Sequence, residues 1–198
     1  SGNILTSNGT TWASTAPAGG GVWELLDSAT ASTSTTVDIE WTNGSYIALK
    51  LIVEGVTFNN STAQLLARFK FGSYVTSSTY SYALGRVDNG SSWSNYGGTN
   101  QDSCIIIDKI GDSSMNSCSS EITIYNAAST SLRKYIQHHG TSDSYNPGDL
   151  QYVYYYAGSG LIKGSTEIST AMTGIRFFGL SGTTLDSGNF RLYGIKNS

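Results

Sequence analysis

Alternation of apolar and polar residues over short runs constrains this chain more than any other feature. In 36–41, Val37, Ile39 and Trp41 alternate with Thr36, Asp38 and Glu40. In 46–54, Ile47, Leu49, Leu51 and Val53 alternate with polar or intervening positions, and in 64–71 Leu65, Ala67, Phe69 and Phe71 alternate with Gln64, Arg68 and Lys70. A strand sends successive side chains to opposite faces, so each run predicts a strand with one face in a core and one in water. The run 22–27 places Trp23 and Leu25 together on one such face. Connections such as Thr42-Asn43-Gly44-Ser45 and Phe58-Asn59-Asn60-Ser61 carry the turn residues expected between antiparallel neighbours.

The second half is looser. Tyr80–Leu84, Ser103–Asp108 and Glu121–Asn126 read as short strands, and 132–139 reads as a strand with a short helix as the alternative. The run 151–157 holds Tyr152, Tyr154, Tyr155 and Tyr156 and is a strand by composition. Near the C-terminus, 174–180 and 189–195 are rich in β-formers around a Gly/Ser/Thr connection, which predicts paired antiparallel strands. About a dozen strands without an amphipathic helix define an all-β fold, an antiparallel two-sheet β-sandwich of jelly-roll type. Residues 1–21 end in Pro-Ala-Gly-Gly-Gly, so they read as an extended N-terminal arm apart from the sandwich of 22–198.

Composition narrows the classes of function. The chain has 198 residues, long enough to bury a full core, and 13 Tyr, 6 Phe and 4 Trp separate it from disordered sequences. A net charge of −3 with no Lys/Arg cluster argues against nucleic-acid binding, which draws on neutralisation of phosphates. No apolar run reaches the roughly 18 residues of a membrane-spanning helix. The start, SGNILTSNGTTW, lacks the basic end and apolar block of a signal peptide, and its abruptness fits a fragment of something longer. Cys104 and Cys118 stand 14 apart, and two readings stay open: a bridge across a loop, or two free thiols with Cys104 buried as a small hydrophobe.

The C-terminal stretch TGIRFFGLSGTTLDSGNFRLYGIK resembles the closing signature of jelly-roll domains in tailed-bacteriophage structural proteins, an IRF strand, a small-residue loop and an RLYGI strand. VWELLDS, YIALKLIVEGV and QLLARFKFGS fit the same pattern. The N-terminal GNILTSNGTTWASTAP is similar to a stalk motif that precedes the distal domains of phage fibres. The likeness covers nearly the whole chain, weakly between residues 86 and 150. It implies a homotrimeric appendage on the virion surface, joined to other virion proteins through the arm, whose jelly-roll binds a glycan or protein of the host cell. Leu5 and Trp12 would then be buried against their copies in a three-chain stalk.

The family's site residues do not transfer, so candidates come from this chain. One is the stretch 86–103, read as a loop carrying Trp93, Asn95 and Tyr96. The other is 137–149, read as a loop with His138, His139, Tyr145 and Asn146. Aromatic rings offer a flat apolar face to a sugar ring, and short polar side chains match its hydroxyls. The same recipe serves protein-binding loops, and both stretches equally suit plain connections. Tyr152, Tyr154 and Tyr156 share a strand face and are candidates for a chain-to-chain or core contact.

Two other functions stand beside host recognition. A capsid decoration protein would stabilise the shell and read no receptor. A polysaccharide depolymerase would need two carboxylates placed about a glycosidic bond. Acids here are sparse, and Asp38, Glu40 and Glu54 read as solvated residues. Adjacent His138 and His139 point to opposite faces of a strand, which disfavours a shared metal. Asp108–Ser113 is rich in oxygen but lacks the spacing of an EF-hand. The expectation is therefore binding without catalysis, cofactor or metal.

Overall fold

A computed structural model describes residues 4–7, 9–10, 12–15, 23–44, 46–60, 63–88, 92–110, 116–144 and 152–196. Two antiparallel sheets face each other across one core. The strands are β1 (Ile4–Ser7), β2 (Trp12–Thr15), β3 (Trp23–Ser34), β4 (Thr36–Glu40), β5 (Tyr46–Phe58), β6 (Ala63–Phe71), β7 (Ser73–Tyr74) and β8 (Tyr80–Asp88). They continue with β9 (Ser92–Gln101), β10 (Cys104–Ile110), β11 (Cys118–Tyr125), β12 (Tyr135–Ser144), β13 (Tyr152–Ile162), β14 (Gly174–Gly179) and β15 (Leu185–Lys196). A five-residue helix, α1 (Ser165–Ser169), lies between β13 and β14. The large sheet runs β3-β15-β5-β11-β12-β13-β8-β9, and the small sheet runs β10-β6-β14-β4 with β7 added to β6.

The alternation read from the sequence becomes the wall of this core. Val37 and Ile39 of β4, Leu65, Ala67 and Phe69 of β6, and Ile175 and Phe177 of β14 point inward from the small sheet. Leu49, Leu51 and Val53 of β5, Ile122 and Ile124 of β11, and Phe190 and Leu192 of β15 point inward from the large one. Burial of these side chains is the main drive for the two layers to close. Inward glycines on β13 let larger groups approach. A Cβ at Gly160 would lie 2.6 Å from the Cys104 sulfur, and one at Gly158 would lie 2.5 Å from His138 Nε2.

Several expectations are corrected by the pairing. The two C-terminal runs do not pair with each other. β14 lies between β6 and β4 in the small sheet, whereas β15 lies between β3 and β5 in the large one. The connections after β4 and β5 likewise join strands of opposite sheets, not neighbours. Turn chemistry shows that the chain reverses and says nothing of which layer receives it. The Trp23 and Leu25 face is 49% and 54% exposed, so it lies outside the core. The arm is not simply extended: β1 and β2 form a hairpin, with Gly9 at a φ of 91° in the connection, a value that favours glycine.

Both cysteines are free and buried, which decides between the two readings. Burial pushes the Cys104 thiol up to about 12 and raises Cys118 further, so both behave as inert small hydrophobes. Lys134 is fully buried, and its ammonium donates to the carbonyls of Glu167 (2.8 Å) and Ile168 (2.7 Å) in α1. That lysine ties the helix to the end of the sandwich.

Candidate functional site

Neither candidate stretch is the loop that the sequence suggested. Residues 92–101 are β9, the edge strand of the large sheet, paired with β8 from Ser92↔Asp88 to Gln101↔Tyr80. The segment SWSNYGGTNQ has weak β-propensity, and its ladder with β8 holds it in place. Asn100, at a φ of 58°, is the extra residue of a bulge between the Thr99 and Gln101 pairings. Residues 137–144 belong to β12, which confirms the strand reading of 132–139 from Tyr135 onward. Tyr145 and Asn146 lie outside the described residues.

Strand parity then divides the candidates. His138 faces inward and is 4% exposed, and burial pushes its imidazole down to about 4, with a smaller contribution from His139. It is a neutral core residue whose Nδ1 lacks a hydrogen-bond partner among the described residues. Tyr96 also faces inward. The Arg86 guanidinium lies between the Tyr96 and Tyr154 rings, 5.1 and 5.2 Å from their centroids, and pairs with Asp88 and Asp108. Asp108 also accepts from Gln64 at 2.7 Å, so the carboxylate considered for calcium is already engaged. Tyr154 and Tyr156 are 2% and 0% exposed, which removes them as chain-to-chain contacts: they fill the core. The Tyr152 backbone pairs with Ser144, and Leu5 and Trp12 are placed by backbone alone, opposite Ser14 and Ser7. Among the described residues, no group of three His, Cys, Asp or Glu is placed to hold a metal ion.

Trp93, Asn95 and His139 face outward, and the pairing of β11, β12, β13, β8 and β9 brings them onto one surface. Two rows of it form a floor. One runs Gln137, Ser159, Ala83, Gly97 across β12, β13, β8 and β9; the next runs His139, Ala157, Gly85, Asn95. Aromatic residues stand on either side. Tyr135, 40% exposed, stacks on Tyr125 of the neighbouring strand with centroids 5.2 Å apart. On the other side are Tyr155 and Trp93, 45% and 53% exposed.

The position of Trp93 depends on a glycine. A Cβ at Gly85 would overlap the indole, so the ring lies directly against the Gly85 backbone, and Gly85 is buried although it is on the outer face. The indole Nε1 donates to Asn95 Oδ1, which fixes the ring along the sheet with its other side in solvent. Tyr125 Oη donates to Gln137 Oε1 at 3.1 Å. In both amides the carbonyl is engaged by an aromatic donor and the NH2 group remains without a partner among the described residues. Ser81 Oγ, at the same surface, is inaccessible to solvent and also lacks a partner.

The surface is concave. One depression of about 740 Å³ lies over β9, β8, β13 and β12. A second of about 430 Å³ shares Gln137 with it, and a third of about 280 Å³ shares His139 and Tyr155 with the second. The three adjoin through these shared residues as a shallow trough running obliquely from β9 to β5, and Trp93, Gly85 and Asn95 stand beside it on the same face, lining none of the three depressions. From 81 to 87, 93 to 99, 135 to 141 and 153 to 161 its outward residues include no Lys, Arg, Asp or Glu. Charge begins only at β11, where Glu121 binds Lys50 at 2.5 Å with His139 at 3.6 Å; the Lys50 bond is the leading cause of the low Glu121 pKa.

Sequence reasoning reached Trp93, Asn95 and His139 but not Tyr125, Tyr135, Gln137 or Gly85. Parity along β12 would have grouped Tyr135, Gln137 and His139; no local signal could pair Trp93 with Gly85. The comparisons give the chain neither a class nor a family: no family model, curated protein or solved structure matches it.

Proposed function

We propose that this chain is the distal host-recognition domain of a tailed-phage fibre, binding a cell-surface glycan non-covalently in the outer trough of the large sheet. The observation that carries the reading is the exposed Trp93 indole held flat against Gly85 on the part of the outer face, from β12 to β9, that carries no Lys, Arg, Asp or Glu. Sugars bind where flat aromatic faces and a few placed polar groups meet, and the open depression of about 740 Å³ on this face is lined by Tyr82 and Tyr135 with Gln137 and Ser159. The chemistry is recognition alone, with no cofactor. The resemblance of the termini to phage fibre proteins supports the virion context and the jelly-roll assignment of the sandwich.

The functional unit in this reading is a homotrimer. Exposed Trp23 and Leu25 on edge strand β3, with Tyr193 edge-on to Trp23 at 5.8 Å, form an apolar patch that suits a sister chain, a role that Tyr154 and Tyr156 cannot fill. The same patch also favours the second reading, a decoration protein seated on a capsid. Fluorescently labelled protein tests the two. Binding to host cells that competes with adsorption of the intact phage, and that is lost in Trp93→Ala, supports receptor recognition. Association with emptied capsids and no binding to cells at micromolar protein would sink it in favour of decoration.

A further inference from the structure

We infer that the trough selects an uncharged oligosaccharide bearing acetamido groups, an inference that rests on the glycan reading above. Three properties of the surface lead there.

The first is charge. A ligand lying over β12, β13, β8 and β9 meets no outward Lys or Arg, and the one ionisable group in the floor, His139, lies 3.6 Å from Glu121, so an anionic sugar would lose its hydration and find no permanent counter-charge. A cationic amino sugar finds the two carboxylates at the β5 end already paired, Glu121 with Lys50 and Glu54 with Arg191. Neutral ligands alone enter without that penalty.

The second is the direction of the hydrogen bonds. Trp93 Nε1 can only donate, so its bond to Asn95 fixes the amide oxygen toward the indole and leaves the NH2 without a partner among the described residues. Tyr125 Oη donates to Gln137 Oε1 at 3.1 Å, which leaves the Gln137 NH2 free in this arrangement, although a hydroxyl, unlike the indole, could also accept from the amide turned the other way. The face therefore presents two amide donors, Gln137 in the trough and Asn95 beside it, whose carbonyls each already accept from an aromatic side chain. An amide carbonyl is a strong neutral acceptor and complements them better than a hydroxyl, which can pair in either sense.

The third is the floor. Beside Gln137 the adjoining positions are Ser159, Ala157, Ala83 and Gly97, with side chains no larger than a hydroxymethyl. An acetamido methyl would rest against Ala83 and Ala157 while its carbonyl accepts from Gln137. The span from β9 to β12 is three strand spacings, roughly 14 Å, which calls for an oligosaccharide and not a single sugar.

The test uses the full chain and a panel of soluble oligosaccharides of equal length, titrated by tryptophan fluorescence. The panel holds neutral N-acetylhexosamine oligomers, the matching hexose oligomers, their de-N-acetylated cationic forms and carboxylated or sulfated oligomers. Binding is expected for the N-acetylated neutral members, weakened about tenfold or more by de-N-acetylation or by the hexose replacement. Gln137→Ala should weaken the N-acetylated ligand about fivefold and leave any hexose binding nearly unchanged. Gly85→Ala should weaken it about tenfold by displacing the indole, with the unfolding midpoint retained as a check that the variant folds. Preference for hexose or anionic oligomers, still lost in Trp93→Ala, overturns the acetamido inference and leaves the glycan-binding function standing. Silence of the whole panel overturns the inference; if host-cell binding also survives Trp93→Ala and Tyr135→Ala, the trough itself is not the receptor site.

Discussion

The two outer faces of the sandwich solve the same problem in opposite ways. On the small sheet, polar residues close on one another. Arg176 makes two 2.6 Å bonds to Asp38 and stacks on Tyr74 at 4.0 Å. Lys70 binds Glu40 at 2.5 Å, and Arg68 binds Asp102 at 2.6 Å while lying over the Phe178 ring. Cross-strand neighbours thus neutralise each other, which leaves little for a ligand to recognise. On the large sheet, along the trough from β12 to β9, the outward residues are small, aliphatic, aromatic or amide-bearing apart from His139, and the amide NH2 groups of Asn95 and Gln137 have no partner among the described residues. A finished surface and an open one differ here in whether the charged and polar groups found partners within the fold.

Acid should separate the two sheets most strongly. His138, beneath the trough, has its folded pKa lowered to about 4 from 6.5, so its contribution to stability is complete above 6.5. It is lost as pH falls from 6.5 to 4, while the unfolded chain takes up the proton and the native chain does not. The expected loss is about 3 kcal/mol. Glu40 on the small sheet acts in a lower window: Lys70 holds its pKa below 4.5, and that contribution disappears only as pH falls through the lowered value. Urea titrations between pH 7 and 3 should show both windows, and His138→Leu should abolish the upper one alone. An unchanged upper window in that variant would mean that the buried imidazole is not its source.

Closing the open face is the next largest effect. Ser159→Glu places a carboxylate on the trough floor and should weaken the N-acetylated ligand tenfold or more, about 1.4 kcal/mol. Stability should move by less than about 0.5 kcal/mol, because the position is exposed. Retained affinity would show that the ligand does not cross β13. Opening the finished face should do least. Asp38→Asn should cost about 0.5–1 kcal/mol, with the cost reduced in high salt and ligand affinity unchanged. An effect of Asp38→Asn on binding would move the site to the small sheet.

The core of the fold was legible where both faces of a strand differ sharply in polarity. Val37 and Ile39, Leu65 and Phe69, and Ile122 and Ile124 all lie inside as their alternation requires. Alternation misled at Trp23 and Leu25, because the register of β3 on β15 shifts between Leu192 and Tyr193 and sets Leu25 and Trp23 opposite Tyr193 and Ile195 on the outer face. It was silent over 92–101, where Gly97, Gly98 and Asn95 hide a strand that exists through its partner. For the site, the sequence singled out Trp93, Asn95 and His139 but grouped them with Tyr96 and His138, which the pleat turns inward.

The sequence by itself determined that this is an all-β chain, where most of its strands lie, and which residues of its most regular strands face a core. Those properties follow from the two-residue period, a local quantity. The tertiary structure alone decided that β14 and β15 lie in different sheets, that Trp93 rests on Gly85, and that Tyr125 hydrogen-bonds Gln137 at a trough. These depend on pairings between residues distant in the chain, such as Tyr155 with Val87, and such pairings are set by the total burial and hydrogen bonding of the closed sandwich. No single segment contains that balance, so none could display the site.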